Sequence, residues 1–278
     1  FEGKSGGIDG PMFDTDFATY FDVAGVLRIE EMNVAKSDIF GVEGLGIKFG
    51  KMEVPFNMDI DNRITRSMTN RSGAAYASSG ALPIAGEIDY TWGLTGSYNV
   101  GEGNGKVSLS LIEAAGGETG GADDDDYDSC LFESFVLSWD TGKDVDAFGV
   151  AGLRVVVGYA NLADSGDPDE TNTEMSIGGS YTLKDMGLCF GLEIIMATWN
   201  AGAGEDAMIM ALDVDYNKDQ YGVGLSFEQC TWGEADTADT RMSLRGSYSL
   251  NDAAKIRFEY LATSNADVDE RGGNAIII

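Results

Sequence analysis

The sequence predicts an all-β fold, an antiparallel transmembrane β-barrel of the outer-membrane type. Three observations carry this expectation. Apolar and polar residues alternate over stretch after stretch, the connections alternate between short and long, and aromatic residues recur at a fixed offset from the short connections. A period of two is the signature of a strand with different surroundings on its two faces. In residues 241–260, Met242, Leu244, Tyr248 and Leu250 fall on one side, and Arg241, Ser243, Arg245, Ser247 and Ser249 on the other.

The elements follow in order. Residues 17–30, FATYFDVAGVLRIE, are expected as one strand, followed by LGIKFGKMEV at 45–54. After a long irregular stretch come YTWGLTGSYNV (90–100), KVSLSLIEAA (106–115), CLFESFVLSWD (130–140) and VAGLRVVVGYANL (150–162). Then come NTEMSIGGSYTL (172–183), GLCFGLEIIMATW (187–199), DAMIMALDVDY (206–216) and QYGVGLSFEQCTW (220–232). TRMSLRGSYSL (240–250), AKIRFEYLAT (254–263) and a stub, NAIII, complete twelve full strands and one partial one. Most exceed the five or six residues usual in soluble sheets and match a tilted bilayer crossing. The short connections are GEGNG, TGKDVDA, KDM, KDQ and NDAA; the long ones, such as GGETGGADDDDYDS and SNADVDERGG, are acidic and glycine-rich. Long extracellular loops at one end and short periplasmic turns at the other are the layout of an outer-membrane barrel.

The GSY triplet recurs at 96–98, 179–181 and 246–248, each time just before a short turn, and Trp139 and Tyr216 hold the equivalent place elsewhere. Tyr98, Trp139, Tyr181, Tyr216 and Tyr248 are therefore expected to form an aromatic girdle at the membrane–water boundary. The apolar faces then meet lipid. The opposite faces, with Thr95, Ser97, Ser108, Ser110, Ser176, Ser180, Thr182 and Ser226, meet a wet lumen. Closure is expected because an open sheet edge in lipid leaves backbone groups unpaired.

Composition narrows the function classes. The chain has 278 residues, 38 Gly, 4 Pro, no His and a net charge of −29. Such acidity argues against a nucleic-acid partner. The lack of histidine excludes a His-based triad and most catalytic zinc sites, and no enzyme activity is expected. Cys130, Cys189 and Cys230 have no metal-binding spacing. No run of apolar residues is long enough for a transmembrane helix.

LGIKFGKMEVPFNMD, residues 45–59, with RITRSMTNR and GLTGSYNVGEGNGKVSLSLIEAAGG after it, resembles the phosphate-selective porin (porin O and P) family. The resemblance implies a sixteen-stranded outer-membrane barrel, commonly a homotrimer, with a loop folded into the pore. It places LGIKFGKMEV as the fifth strand and NAIII as the sixteenth, with three strands before Phe1 and the end of the last strand missing. If the chain is complete, 12 to 14 strands are expected instead. Residues 1–278 then form a single barrel domain in the bacterial outer membrane, in contact with lipid and lipopolysaccharide.

Three groups of residues could carry function. The segment 55–87 is far longer than an ordinary connection and holds Arg63, Arg66, Arg71, Asp59 and Asp61; by resemblance it is the constriction loop. Alternation places Arg241, Arg245, Lys255 and Arg257 on the lumen side beside Asp213, Asp215 and Glu228. They form either a basic wall facing an acidic one, with a transverse field, or ion pairs that keep the lumen wet. Asp123, Asp124, Asp125 and Asp126 form a cluster for weak Ca²⁺ or Mg²⁺ binding, or simply a solvated acidic loop; no other cofactor is expected. The function that follows is a weakly selective diffusion porin for small ions and polar solutes. The alternative is a structural or partner-binding barrel, a scaffold or sheath for another protein.

Overall fold

A computed structural model describes residues 14–21, 27–52, 54–56, 91–101, 103–113, 132, 134–142, 146–163, 171–198, 206–232, 238–251, 254–264 and 273–277, some by backbone alone. Fourteen strands lie in one sheet in sequence order, each antiparallel to the next. They are β1 (Asp14–Phe21), β2 (Leu27–Lys36), β3 (Leu45–Met52), β4 (Thr91–Gly101), β5 (Gly105–Ile112), β6 (Ser134–Asp140) and β7 (Leu153–Ala163). The remainder are β8 (Thr171–Leu183), β9 (Leu188–Thr198), β10 (Asp206–Lys218), β11 (Tyr221–Trp232), β12 (Ala238–Asn251), β13 (Ala254–Ser264) and β14 (Gly273–Ile277). No helix among the described residues is long and apolar enough to cross a membrane.

One sequence expectation is corrected here. Residues 17–30 are not one strand: they contribute to both β1 and β2, which pair antiparallel with Phe21 opposite Leu27. LGIKFGKM is therefore preceded by two strands in the chain, not by one. The small apolar residues of 22–26 carry no charge beyond Asp22 and no proline, so composition does not mark the reversal.

The sheet is inverted relative to a soluble protein. Its buried face is rich in polar groups, with Asn33, Thr95, Ser108, Ser110, Ser138, Asn172, Ser176, Ser226 and Ser243 all buried. Its exposed face carries Phe49, Leu109, Leu137, Ile177, Leu192, Leu212, Leu225, Leu244 and Phe258. A soluble monomer rarely exposes so continuous an apolar surface; hydrocarbon around the sheet removes the cost. Leu244 is 43% exposed and sits between Leu225 and Tyr260 on the neighbouring strands. Leu244→Arg should cost about 2–4 kcal/mol if that position lies near the bilayer midplane, measured by denaturant unfolding in lipid vesicles. A neutral result would place this face against water.

Candidate functional site

The candidate site is the buried face and the chain that leaves β3 to cover it. Met52 is fully buried, and Pro55 lacks the N–H needed to continue a ladder. The segment 54–56 keeps the inward parity of β3 but has no strand assignment. Val54 and Phe56 pack with Ile112 of β5, Val136 of β6, and Ala160 and Leu162 of β7 in one buried apolar cluster. Gly158 of β7 makes this approach possible. A Cβ there would overlap the Phe56 carbonyl oxygen and press on its ring. The start of the segment 55–87 thus lies on the buried face of the sheet. Arg63, Arg66, Arg71, Asp59 and Asp61 lie outside the described residues, as do Asp123, Asp124, Asp125 and Asp126.

Further round the sheet the same face becomes charged. Arg245 of β12 pairs with two carboxylates of β10, its Nη2 lying 2.8 Å from Asp213 Oδ1 and 3.4 Å from Asp215 Oδ1. The register explains the reach. Asp215, Gly224 and Arg245 are successive partners across β10, β11 and β12. Gly224 has no side chain, so the guanidinium can extend over β11. The three charged side chains are only 3%, 9% and 4% exposed for Arg245, Asp213 and Asp215. Arg245 of the predicted basic set and Asp213 and Asp215 of the predicted acidic set therefore meet here as ion pairs. Glu228 is buried on the same face, and its register partner on β12 is Arg241. Lys255 and Arg257 stand opposite Ser249 and Ser247 in the β12–β13 ladder. The side chains of Arg241, Lys255 and Arg257 lie outside the described ones.

Sequence reasoning missed several members of this face. Arg154 of β7 holds Asp140 of β6 through a two-pronged contact, Nε to Oδ1 at 3.0 Å and Nη2 to Oδ2 at 2.7 Å. Glu193 accepts a hydrogen bond from Ser176 at 2.8 Å, and Glu174 is buried close to them on β8. Alternation from Ser176 to Glu174, and from Asp213 back through the β9 register, could have placed both glutamates. Arg154 was hidden in a run of valines. Cys189, on β9, carries a free thiol that accepts a hydrogen bond from Thr182 at 3.3 Å. Among the described residues no cluster of Cys, Asp and Glu is arranged to hold a metal ion.

The five aromatic residues share the other face. Tyr98, Tyr181, Tyr216 and Tyr248 are exposed, and Trp139 is half-buried, its Nε1 donating to the Asn104 carbonyl at 2.7 Å. Each lies within a few residues of a short turn.

No family model matches the chain, and no curated relative matches it. Solved structures do. A loop-L8 deletion mutant of OmpT, an outer-membrane protein of Vibrio cholerae, is similar at a TM-score of 0.58 and 14% identity, over 96% of this chain and 84% of that one. The outer-membrane channel DcaP of Acinetobacter baumannii is similar at 0.59 and 12% identity, over 90% and 72%. An anion-selective porin from Comamonas acidovorans is similar at 0.50 and 13% identity, over 95% and 91%. The likeness is one of architecture: the antiparallel sheet resembles those of bacterial outer-membrane β-barrels, and it places the chain in the bacterial outer membrane.

Proposed function

We propose that the chain closes into a barrel in the bacterial outer membrane and forms a water-filled channel for small ions and polar solutes. The observation that carries this reading is the inversion of the sheet, apolar outside and polar, charged inside, over most of its strands. Segment 55–87 is the constriction: Val54 and Phe56 already lie on the buried face, and the arginines at 63, 66 and 71 follow 7 to 15 residues after Phe56. Arg245 is held by two carboxylates, and Glu174, Glu193 and Glu228 share its wall, so the described wall adds little anion attraction. Selectivity is then set by the loop at the eyelet and by the acidic mouth. A homotrimer is the assembly we propose, since OmpT has a trimer form.

The test is conductance of the purified protein in a planar bilayer, with the reversal potential read under a salt gradient. Exposed charge is screened over about 8 Å at physiological salt, whereas charge in a narrow constriction is screened less. Cation preference at low salt should therefore move towards neutrality or slight anion preference at high salt. Replacing Arg63, Arg66 and Arg71 together by Ala should shift the reversal potential towards cations at every salt concentration. An unchanged reversal potential would remove the loop from the constriction. A protein that inserts folded yet passes no current would be a structural barrel instead.

A further inference from the structure

Two turns at the same end of the sheet are copies of one another. Residues 38–45, DIFGVEGL, join β2 to β3, and residues 146–153, DAFGVAGL, join β6 to β7; six of the eight positions are identical. Their geometry matches from the phenylalanine onward, although Asp38 is left-handed at φ 53° and Asp146 is extended at φ −77°. The Gly44 N–H donates to Asp38 Oδ1 at 2.7 Å, and the Gly152 N–H donates to Asp146 Oδ1 at 2.9 Å. Val42 and Val150 donate their N–H groups to Ile39 and Ala147. In each turn the phenylalanine takes the left-handed conformation, Phe40 at φ 55° and Phe148 at φ 55°. That region is unfavourable for a bulky side chain, and a turn serving only to connect strands would use Gly or Asn there.

Both rings are presented outward, Phe40 being 93% exposed and Phe148 60% exposed, with Val42 and Val150 beside them. Phe148 continues the aromatic face: its ring centroid lies 5.8 Å from that of Trp139. Lysines lie at the same end, each accompanied by at least one carboxylate of its own turn. Six of the nine lysines, Lys36, Lys106, Lys143, Lys184, Lys218 and Lys255, fall at or beside the six connections of this end, one to each, with Lys106 and Lys255 on the inward parity of their strands. Lys184 is exposed, its Nζ 4.0 Å from Asp146 Oδ1, and Gly103 in the turn before Lys106 accepts the Phe148 N–H. Apolar rings with neighbouring ammonium groups suit the boundary between acyl chains and phosphodiester headgroups.

We infer that the twin turns are lipid-anchoring feet, in which Phe40 and Phe148 seat in the phospholipid leaflet at the short-turn end while neighbouring lysines meet lipid phosphates. This rests on the transmembrane-barrel part of the reading above and not on conduction.

The test places p-benzoylphenylalanine at position 40 or 148 of the full chain, in nanodiscs of mixed phosphatidylcholine and phosphatidylglycerol. Irradiation is followed by mass spectrometry. Phospholipid adducts at both positions are expected, with phosphatidylglycerol enriched over its bulk share by roughly two- to fivefold. Lys184→Gln should reduce that enrichment at position 148. Adducts with a second copy of the chain, or none above a probe placed at Asp219, would overturn the inference. Should one probe prevent folding, the other carries the test. Conductance of the same samples separates the two readings: current without lipid adducts overturns only the anchoring, and adducts without current overturn only the channel.

Discussion

Gly158→Val should open the pore. The substituted Cβ would occupy the place of the Phe56 carbonyl, so the chain leaving β3 could no longer lie on β7. The clash involves backbone, which cannot turn aside as a flexible side chain can. Forcing extra methyl groups into such a contact costs about 1–3 kcal/mol, and lifting Phe56 off its apolar seat forfeits about 1.5–3 kcal/mol of burial. The two costs are alternatives, and a backbone overlap lies at the upper end of the first, so the segment should detach while the barrel stays folded. Single-channel conductance should rise, and the arginines at 63, 66 and 71 should lose their influence on reversal potential. Phe56→Ala should act in the same direction by emptying the seat between Val136, Ala160 and Leu162. Gly96→Ala is the control: it lies on the exposed face with open space around it. Unchanged conductance in the Gly158 variant would mean that the attachment does not position the constriction.

The sequence marks this seat in one respect. A strand with water on one side and lipid on the other should alternate, as β12 does. β7 does not: LRVVVGYANL is apolar on both parities, the pattern of a strand covered on both faces. Its inward residues Val156, Ala160 and Leu162 are buried, and Phe56 packs with the last two. The same run concealed Arg154, whose charge reads as an exposed edge until the Asp140 partner is seen across the ladder.

Alternation did place the exposed residues of β12 and β13 and the outward aromatic set, because parity within a strand is a local property. It could not separate β1 from β2, since a reversal through small residues has no charge signature. Nor could it show that Arg245 binds Asp213 and Asp215, since that pairing depends on the register of three strands and on Gly224 lying between them. The DxFGVxGL repeat is plainly written in the sequence. Its meaning depends on two phenylalanines adopting a conformation that composition does not reveal.

Arg245→Met should be the most destabilising single change on the inner wall. The guanidinium holds two carboxylates in a place where all three groups are almost fully shielded. Removing one member of a buried ionic cluster costs about 3–5 kcal/mol, mostly because the remaining charge stays buried without its counter-ion. Here two like charges two residues apart would be left on one strand, with Glu193 and Glu228 on the strands to either side. The effect should be read as a lower midpoint of urea unfolding in lipid, and as a reversal potential moved towards cations. Arg245→Lys should recover only part of the stability, because an ammonium is more strongly hydrated than a guanidinium and costs more to hold in so shielded a place. The triple variant Arg245→Met, Asp213→Asn, Asp215→Asn separates stability from selectivity. It should regain most of the lost stability and move the reversal potential slightly towards anions relative to the parent, since it removes one positive and two negative charges, a net loss of one negative charge. If Arg245→Met unfolds at the parent's urea concentration, the ion pairs contribute nothing to the wall. If the triple variant instead shows a large anion shift, then the two aspartates, and not the loop arginines, set the selectivity of the pore.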